Sequence, residues 1–232
     1  MTTKPIPESH IGVFDSGLGG LTVLTSLEKI LPNESFIYFG DTAHVPYGNK
    51  SAETVIHYSR NIMNFFLRHN TKAVVIACNT ASAVACKELR NSFDIPLFDV
   101  VAPSAVHANN ISKTRKIGVI GTHSTIFSKA YTRSLADIKS DCSTIEISCP
   151  LFVPLIEEGW SDTPVAKEIA CSYLKPFQKT EIDTLILGCT HYPIMGKTIQ
   201  EAMKSHVQLV YSGETVGRKL AAHLKKNNCT ND

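Results

Sequence analysis

The chain has 232 residues and a mass of 25.4 kDa, enough for one large domain or two small ones. Its 43% hydrophobic and 19% charged residues are typical of a globular protein, and 23 basic against 21 acidic residues leave a net charge of +2. No basic block marks a nucleic-acid partner, no apolar run is long enough to cross a bilayer, and the polar N-terminus Met1–His10 lacks the apolar core of a signal peptide. Seven cysteines without a CxxC spacing indicate a reducing cytoplasm and speak against a zinc site.

Apolar runs alternate with helical patterns along the whole chain. In the first half, this predicts strands and helices in the following order: strand 11–14, a helix to about 30, strand 35–39, a helix from 51, strand 73–77, helix 80–93 and strand 97–101. The second half continues with strand 116–120, helix 124–138, strand 144–148, a helix opened by Thr163-Pro164, strand 184–187, strand 208–211 and helix 214–225. This alternation predicts parallel sheets covered on both faces, in two halves that pack closely because no linker separates them.

One local pattern that ends on a cysteine occurs twice. Residues 74–80 and 185–191 are each a buried-strand run followed by a small polar turn, and their cysteines, Cys78 and Cys189, lie 111 residues apart. A second pair of segments repeats at an offset of 106 residues: 11–16 and 117–122. These two repeats predict two similar α/β halves, each with a thiol at the C-terminal end of a strand, where open α/β sheets bind ligands. Two thiols facing each other across a cleft suit a racemase, because they can donate and accept a proton on opposite faces of one carbon.

Polar groups near these turns are candidates for assisting the thiols. His191 lies two residues from Cys189 and could feed or remove its proton, whereas a lone histidine is more often structural. Asp15 could serve Cys78 in the same way, because a carboxylate at the end of a strand must face a cleft or find a partner. The acidic pair Glu157-Glu158 follows an apolar run and is more often solvent-facing.

Two loops could hold a carboxylate through their backbone. The segment 16–20 opens a helix, whose free N–H groups can bind an anion, although a tight glycine turn without a ligand is the alternative. Its glycine spacing does not match the dinucleotide fingerprint. The segment Pro46-Tyr47-Gly48 is either a turn with an anchoring tyrosine or a second set of backbone amides for a carboxylate.

Five motifs together resemble those of glutamate racemases: IGVFDSGLGG, FGDTAHVPYG, VVIACNTAS, CPLFVPLIEEG and LILGCTHYP. They occur in the family's order, and the resemblance spans roughly residues 10–216. It implies two pseudo-symmetric three-layer α/β domains with mostly parallel sheets and an active site in the cleft between them. By this match, the first domain comprises residues 1–98 plus 208–232, and the second comprises 99–207.

The resemblance implies interconversion of L- and D-glutamate with no cofactor and no metal. Cys78 and Cys189 match the family's two acid/base thiols, Asp15 and His191 match its assisting residues, and Glu157 matches an additional acidic residue. The positions that match substrate-binding residues are Asp15, Ser16, Pro46, Tyr47, Gly48, Asn79, Thr80, Thr190 and His191.

The resemblance also implies a cytoplasmic bacterial enzyme that supplies D-glutamate for peptidoglycan, with a small-molecule substrate and neither a nucleic acid nor a membrane as partner. Members of the family often form dimers, so a homodimer is an expectation here. One departure from the family pattern is Tyr211, which stands where an aspartate often precedes Ser-Gly in the last motif.

Three other functions compete with this one. A racemase of aspartate or hydantoins also uses two cysteines as acid and base, but the motifs PYG and GCTHYP favour glutamate as the substrate. A non-catalytic protein that binds small anions needs no thiol on either side of its ligand. A thiol oxidoreductase needs the two cysteines to form a disulfide, which requires their Cα atoms to lie within about 7 Å.

Overall fold

A computed structural model of the chain describes residues 9–231, so most of the N-terminal segment weighed above as a signal peptide lies outside the described residues. Within that range the strands form two four-stranded parallel sheets. The first has the order β2-β1-β3-β4, with β1 His10–Asp15, β2 Phe36–Gly40, β3 Thr71–Ile76 and β4 Leu97–Asp99. The second has the order β6-β5-β7-β8, with β5 Lys116–Gly121, β6 Ser143–Ser148, β7 Thr184–Gly188 and β8 Gln208–Tyr211.

The two sheets have the same topology, so the repeat predicted from the sequence is present in the fold. The register pairs Phe14 of β1 with Ile76 of β3, and Ile120 of β5 with Leu187 of β7. These equivalent pairings bring the segments that follow β1 and β3 to one sheet edge, and those that follow β5 and β7 to another. The predicted fold class is confirmed.

Eleven helices lie among the described residues. Those that pack mainly with the first half are α1 Leu21–Ile30, α2 Ala52–Leu67, α3 Asn79–Val84, α4 Cys86–Ser92 and α11 Ser212–Lys226. Those of the second half are α5 Val101–Ile111, α6 His123–Phe127, α7 Ala130–Asp137, α8 Phe152–Glu157, α9 Pro164–Gln178 and α10 Gly196–Ala202. None of them combines the length and the apolar character that spanning a membrane requires.

Each sheet is buried on both faces, which gives three layers. On one face of the first sheet, Ile11 and Val75 pack in a cluster with Leu27 of α1 and Leu220 of α11. On the other face, Phe14 belongs to a separate cluster that contains buried residues of α2 and α3. The second sheet has two such clusters as well. Continuous burial on both faces explains why the central strands β1, β3, β5 and β7 are apolar runs, whereas the edge strand β6 is less buried and alternates.

Two predicted helices are each divided in the structure. The helix predicted over 80–93 is interrupted at Ala85, which separates α3 from α4. The helix predicted over 124–138 is interrupted at Lys129, whose φ of 54° is incompatible with a continuous right-handed helix. The sequence also gave no prediction for α5 and α10, and the fourth strand ends at Asp99 rather than at 101. Helix α5 contains several small residues and Pro103, so its periodic apolar signal is weak.

The end of the chain joins both halves. Strand β8 pairs with β7 in the second sheet, whereas α11 packs on α1 in the first half. The chain therefore returns to the first half at Ser212, four residues after the expected boundary at 208. The division into domains stays a prediction, with β8 assigned to the second sheet.

Candidate active site

The turns that follow β1, β3 and β7 meet in a cleft between the two halves. Its walls are formed by Ser16, Val45, Pro46, Tyr47, Gly48, Cys78, Asn79, Thr80, Thr122, Val153, Cys189, Thr190 and His191. The cleft therefore contains both repeated cysteines and most of the residues predicted to bind substrate.

Cys78 lies at the N-terminal end of α3, where its Sγ accepts a hydrogen bond from the backbone N–H of Ala81 at 3.4 Å. The thiol also donates to Ser16 Oγ at 3.8 Å. Burial, and secondly the nearby charge of Asp15, raise the pKa of the Cys78 thiol to about 12. This shift favours the neutral thiol of Cys78 at neutral pH.

Asp15 is fully buried at the end of β1. Its Oδ2 accepts the backbone N–H of Gly17 at 3.1 Å and that of Gly20 at 3.0 Å, and its Oδ1 accepts Thr190 Oγ1 at 3.3 Å across the cleft. Burial raises the pKa of the Asp15 carboxyl, although the charge of His191 and these hydrogen bonds act in the opposite direction. The N–H groups at this turn, predicted to hold a substrate anion, hold the protein's own carboxylate instead.

Cys189 lies at the end of β7 and is the first member of a chain of three groups. Its Sγ is 3.8 Å from His191 Nδ1, and His191 Nε2 is 3.2 Å from Glu157 Oε1. Burial raises the pKa of the Cys189 thiol well above its ordinary value. The Glu157 side chain is 50% exposed, so the three groups connect a buried thiol to the protein surface.

The glycine turn before α1 fits closely against His191. A Cβ atom at Gly19 would lie 2.4 Å from His191 Nδ1 and 2.6 Å from Thr190 Oγ1. Such distances are well below van der Waals contact, so only glycine allows the first half to approach the histidine this closely.

The Pro46-Tyr47-Gly48 segment closes one side of the cleft. Tyr47 is buried, and its hydroxyl donates to Asp41 Oδ2 at 2.6 Å, which anchors the loop as the sequence suggested. The carbonyl of Gly48 accepts Ser124 Oγ at 2.9 Å from the second half. A Cβ atom at Gly48 would lie 2.8 Å from Thr122 Cβ, so this position too serves a close approach of the two halves.

Asn79 and Thr80 continue the turn after Cys78. Thr80 Oγ1 is 3.0 Å from Thr122 Oγ1 and 3.3 Å from Thr125 Oγ1, which links it to the second half. Asn79 Nδ2 donates to two hydroxyl groups, those of Tyr131 and Ser212. The structure therefore brings most of the predicted residues into one cleft. Asp15 is fully buried and contacts Thr190 of the cleft wall, and Glu157 lies at the mouth beside His191.

Sequence reasoning missed several residues of the cleft wall: Val45, Thr122 and Val153. For Thr122 a signal existed, because the internal repeat aligns it with Ser16. The two valines had no comparable signal, since isolated apolar residues are found everywhere in a core.

Two observations concern disulfide formation and metal binding. All seven cysteines are free, so the cleft thiols do not form a disulfide. Among residues 9–231, no group of three or more His, Cys, Asp or Glu side chains is arranged to hold a metal ion.

Comparison with known proteins reveals extensive similarity. The family model for Asp/Glu/hydantoin racemases matches residues 11–216. The glutamate racemase of Geobacter metallireducens is 46% identical over 220 residues, which covers 95% of this chain and 82% of that protein. The crystal structure of glutamate racemase isoform RacE1 from Bacillus anthracis superposes with a TM-score of 0.94 at 37% identity, covering 97% of this chain and 84% of that one. The glutamate racemase of Francisella tularensis in complex with D-glutamate gives a TM-score of 0.91 at 37% identity, covering 98% of this chain and 84% of that one.

These matches run through both halves and include every turn that lines the cleft. The chain is therefore a member of the Asp/Glu/hydantoin racemase family.

Proposed function

We propose that this protein interconverts L- and D-glutamate without a cofactor, using Cys78 and Cys189 as two acid/base groups. The observation that carries the proposal is that the two thiols come from opposite halves of the fold and line one cleft. A substrate carbon held between them would present one face to each sulfur. The similarity to glutamate racemases in both sequence and structure supports glutamate as the substrate.

In each turnover, the thiolate on one side takes the Cα proton, and the thiol on the other side gives a proton to the opposite face. The departing proton leaves the electron pair of its bond on Cα, and this pair then takes the proton of the opposite thiol, so the enzyme ends with its two sulfur protonation states exchanged. Positioned groups of this kind typically contribute 10²–10⁴-fold in rate. The remainder must come from electrostatic stabilisation of the negative charge that develops on the substrate.

Each thiol needs a proton acceptor, because burial favours the neutral form of both. For Cys189 this acceptor is His191, which lies 3.8 Å from the sulfur and is oriented by Glu157. The corresponding group for Cys78 is Asp15, which lies near the sulfur but makes its own hydrogen bonds to Gly17, Gly20 and Thr190. The two thiols are thus served by different chemistry.

The polar groups of the cleft would bind the two carboxylates and the amino group of glutamate. Ser16, Thr80 and Thr190 offer hydroxyl groups on both sides of the thiols, and the loop of Tyr47 and Gly48 offers backbone groups.

The role that fits this activity is the supply of D-glutamate for peptidoglycan in the cytoplasm. Homodimer formation, frequent in the family, belongs to the same proposal. Light scattering of the purified protein, at concentrations above and below its cellular level, would measure the oligomeric state. A mass of 25.4 kDa at every concentration would contradict the dimer.

The test of the activity is incubation of the purified protein with L-glutamate in D₂O and no added cofactor. Proton NMR would follow the loss of the Cα signal, and circular dichroism would follow optical activity. We expect deuterium to enter Cα as optical activity decays to zero. The absence of exchange with glutamate would contradict the assignment, and exchange with L-aspartate instead would redirect it to the other branch of the family.

A further inference from the structure

The side-chain amide of Asn79 is held by two hydroxyl groups from distant parts of the chain. Its Nδ2 lies 3.3 Å from the Tyr131 hydroxyl and 3.3 Å from Ser212 Oγ. Tyr131 belongs to α7 of the second half, and Ser212 is the first residue of α11. Both side chains are buried, at 1% and 4% exposure, and neither was among the site residues predicted from the sequence.

The hydrogen bonds fix which way the amide faces. Ser212 has one hydroxyl proton, which it donates to the carbonyl of Leu187 at 3.4 Å, so it accepts from Asn79. Only the NH₂ group of the amide can supply that bond. Asn79 Nδ2 therefore faces the two hydroxyls, and Oδ1 faces away from them.

Asn79 Oδ1 is buried and has no hydrogen-bond partner among residues 9–231. The residue itself is 2% exposed and lines the cleft between the thiols. A buried acceptor without a partner is destabilising, so a ligand that brings a donor to this atom gains affinity. At neutral pH, glutamate has one group that donates, the α-ammonium, because its two carboxylates only accept.

We propose that Tyr131 and Ser212 are positioning residues that orient the Asn79 amide and reserve Oδ1 for the amino group of the substrate. This inference rests on the proposed glutamate racemase function. The same contacts join the two thiol turns: Asn79 follows Cys78 directly, and Leu187 lies two residues before Cys189. The Tyr131 ring also packs on Gly188, where an added Cβ would lie 3.2 Å from Cε2 of the ring.

The test compares two ligands that differ only at the group in question. Glutarate keeps both carboxylates of glutamate and has hydrogen in place of the ammonium. Calorimetric titration with racemic glutamate avoids any net change from turnover. We expect Ser212→Ala and Tyr131→Phe each to raise the Kd of glutamate by about tenfold, while the Kd of glutarate stays within about twofold of the wild-type value.

Matched controls remove a hydroxyl elsewhere, from the buried Ser104 or from the partly exposed Tyr173. Ser104→Ala loses a hydroxyl that bonds within α5 and to Thr215, and Tyr173→Phe loses one that contacts the backbone of Leu151. We expect neither to change the ratio of the two Kd values. Thermal melting verifies that each variant is folded. If Ser212→Ala does not fold, the comparison is made with Tyr131→Phe, which keeps the aromatic ring.

Equal weakening of glutamate and glutarate would overturn the proposal, since it would show a general structural role. Unchanged affinity for both ligands would overturn it as well. Hydrogen exchange at Cα of glutamate by the wild type in D₂O tests the underlying activity independently. A wild type that exchanges glutamate but whose variants keep the wild-type ratio refutes the positioning role alone.

Discussion

Cys78 and Cys189 occupy equivalent turns but have different neighbours. Cys78 contacts Ser16 and a backbone N–H, and the nearest charge is that of the fully buried Asp15. The Cys189 thiol lies beside His191, and His191 contacts Glu157, whose side chain is at the protein surface. The repeat therefore duplicates the thiols and not the groups beside them, so we expect substitutions of these groups to change the kcat values of the two directions unequally, with KM changing in proportion because the two enantiomers are equally stable.

The raised pKa values of the thiols predict a steep pH dependence of their alkylation. The thiolate is the nucleophile, and a thiol below its pKa gains about tenfold in thiolate for each pH unit. Because burial raises the pKa of Cys78 to about 12, its rate of reaction with iodoacetamide should still be increasing at pH 10. Mass spectrometry of each cysteine measures the rates, with the exposed Cys171 as internal standard. A plateau for Cys78 by pH 8 would contradict the prediction.

We expect the ionised Asp15 carboxylate to lower the free energy of unfolding, although the activity depends on it. Burial raises the pKa of this carboxyl, so its ionised form is disfavoured in the folded state. Asp15→Asn fits the same contacts, because Oδ1 of asparagine can accept from Gly17 and Gly20 while its NH₂ group faces Thr190. We expect the variant to lose about 10²–10⁴-fold in kcat and to melt at a higher temperature than the wild type at neutral pH.

The direction of the Asp15 pKa shift determines the pH range over which this carboxyl lowers stability. A carboxyl whose pKa is raised on folding destabilises the protein above that raised pKa and has no effect below the pKa of the unfolded chain. The difference in melting temperature between Asp15→Asn and the wild type should therefore shrink as the pH falls toward 3.8, the ordinary value for aspartate. A gain that stays constant from pH 7 to pH 4 would show that the charge is not its cause.

At the scale of elements, the turn before α1 restricts the position of the His191 ring. Gly19→Ala would place a methyl group 2.4 Å from His191 Nδ1, so the imidazole must move away from Cys189. We expect a loss of about 10²-fold in kcat, the low end of what a general acid or base contributes, with the fold retained.

Gly17→Ala is the matched control for this turn. Its added Cβ would lie 3.2 Å from Val45 Cγ2, the end of an exposed side chain, and the Gly17 N–H that binds Asp15 remains. Steady-state kinetics of both variants measure the difference. A kcat for Gly19→Ala equal to that of the control would contradict the role of this glycine.

Most of the elements were predictable because their signals are local. The apolar runs of the strands and the cysteine after β3 and β7 are visible in a window of a few residues. The breaks at Ala85 and Lys129 were not, because they depend on how each helix must turn to pack on its sheet. Helix α5 escaped prediction because its small residues and Pro103 leave only a weak apolar period, although Val106, His107 and Asn110 form an exposed face.

The contacts around the thiols show the limit of sequence reasoning most clearly. Asn79 was a candidate from its place beside Cys78, but its partners Tyr131 and Ser212 lie 52 and 133 residues away along the chain. Likewise, Asp15 was expected to assist Cys78, whereas its hydrogen bond across the cleft goes to Thr190. Partners of this kind depend on how the two halves dock, and no local pattern encodes that.

At the scale of the whole molecule, function depends on two halves that present their thiols to one cleft. The hydrogen bonds from Thr190 to Asp15 and from Ser124 to Gly48 span the two sides. Both thiols are buried, and the low dielectric constant of buried surroundings strengthens the electrostatic interactions of the cleft. In the proposed mechanism, the substrate lies between the halves with one face of its Cα toward each sulfur.

The most direct test of the two-thiol mechanism is hydrogen exchange by Cys78→Ala and Cys189→Ala in D₂O, measured separately with L- and D-glutamate. Each variant keeps one thiol, which can remove and return the Cα hydrogen on one face only. We expect both variants to fold and to lose racemisation, with each exchanging the Cα hydrogen of one enantiomer and the two variants exchanging opposite enantiomers. Near-full racemisation by either variant, or exchange of the same enantiomer by both, would contradict the mechanism.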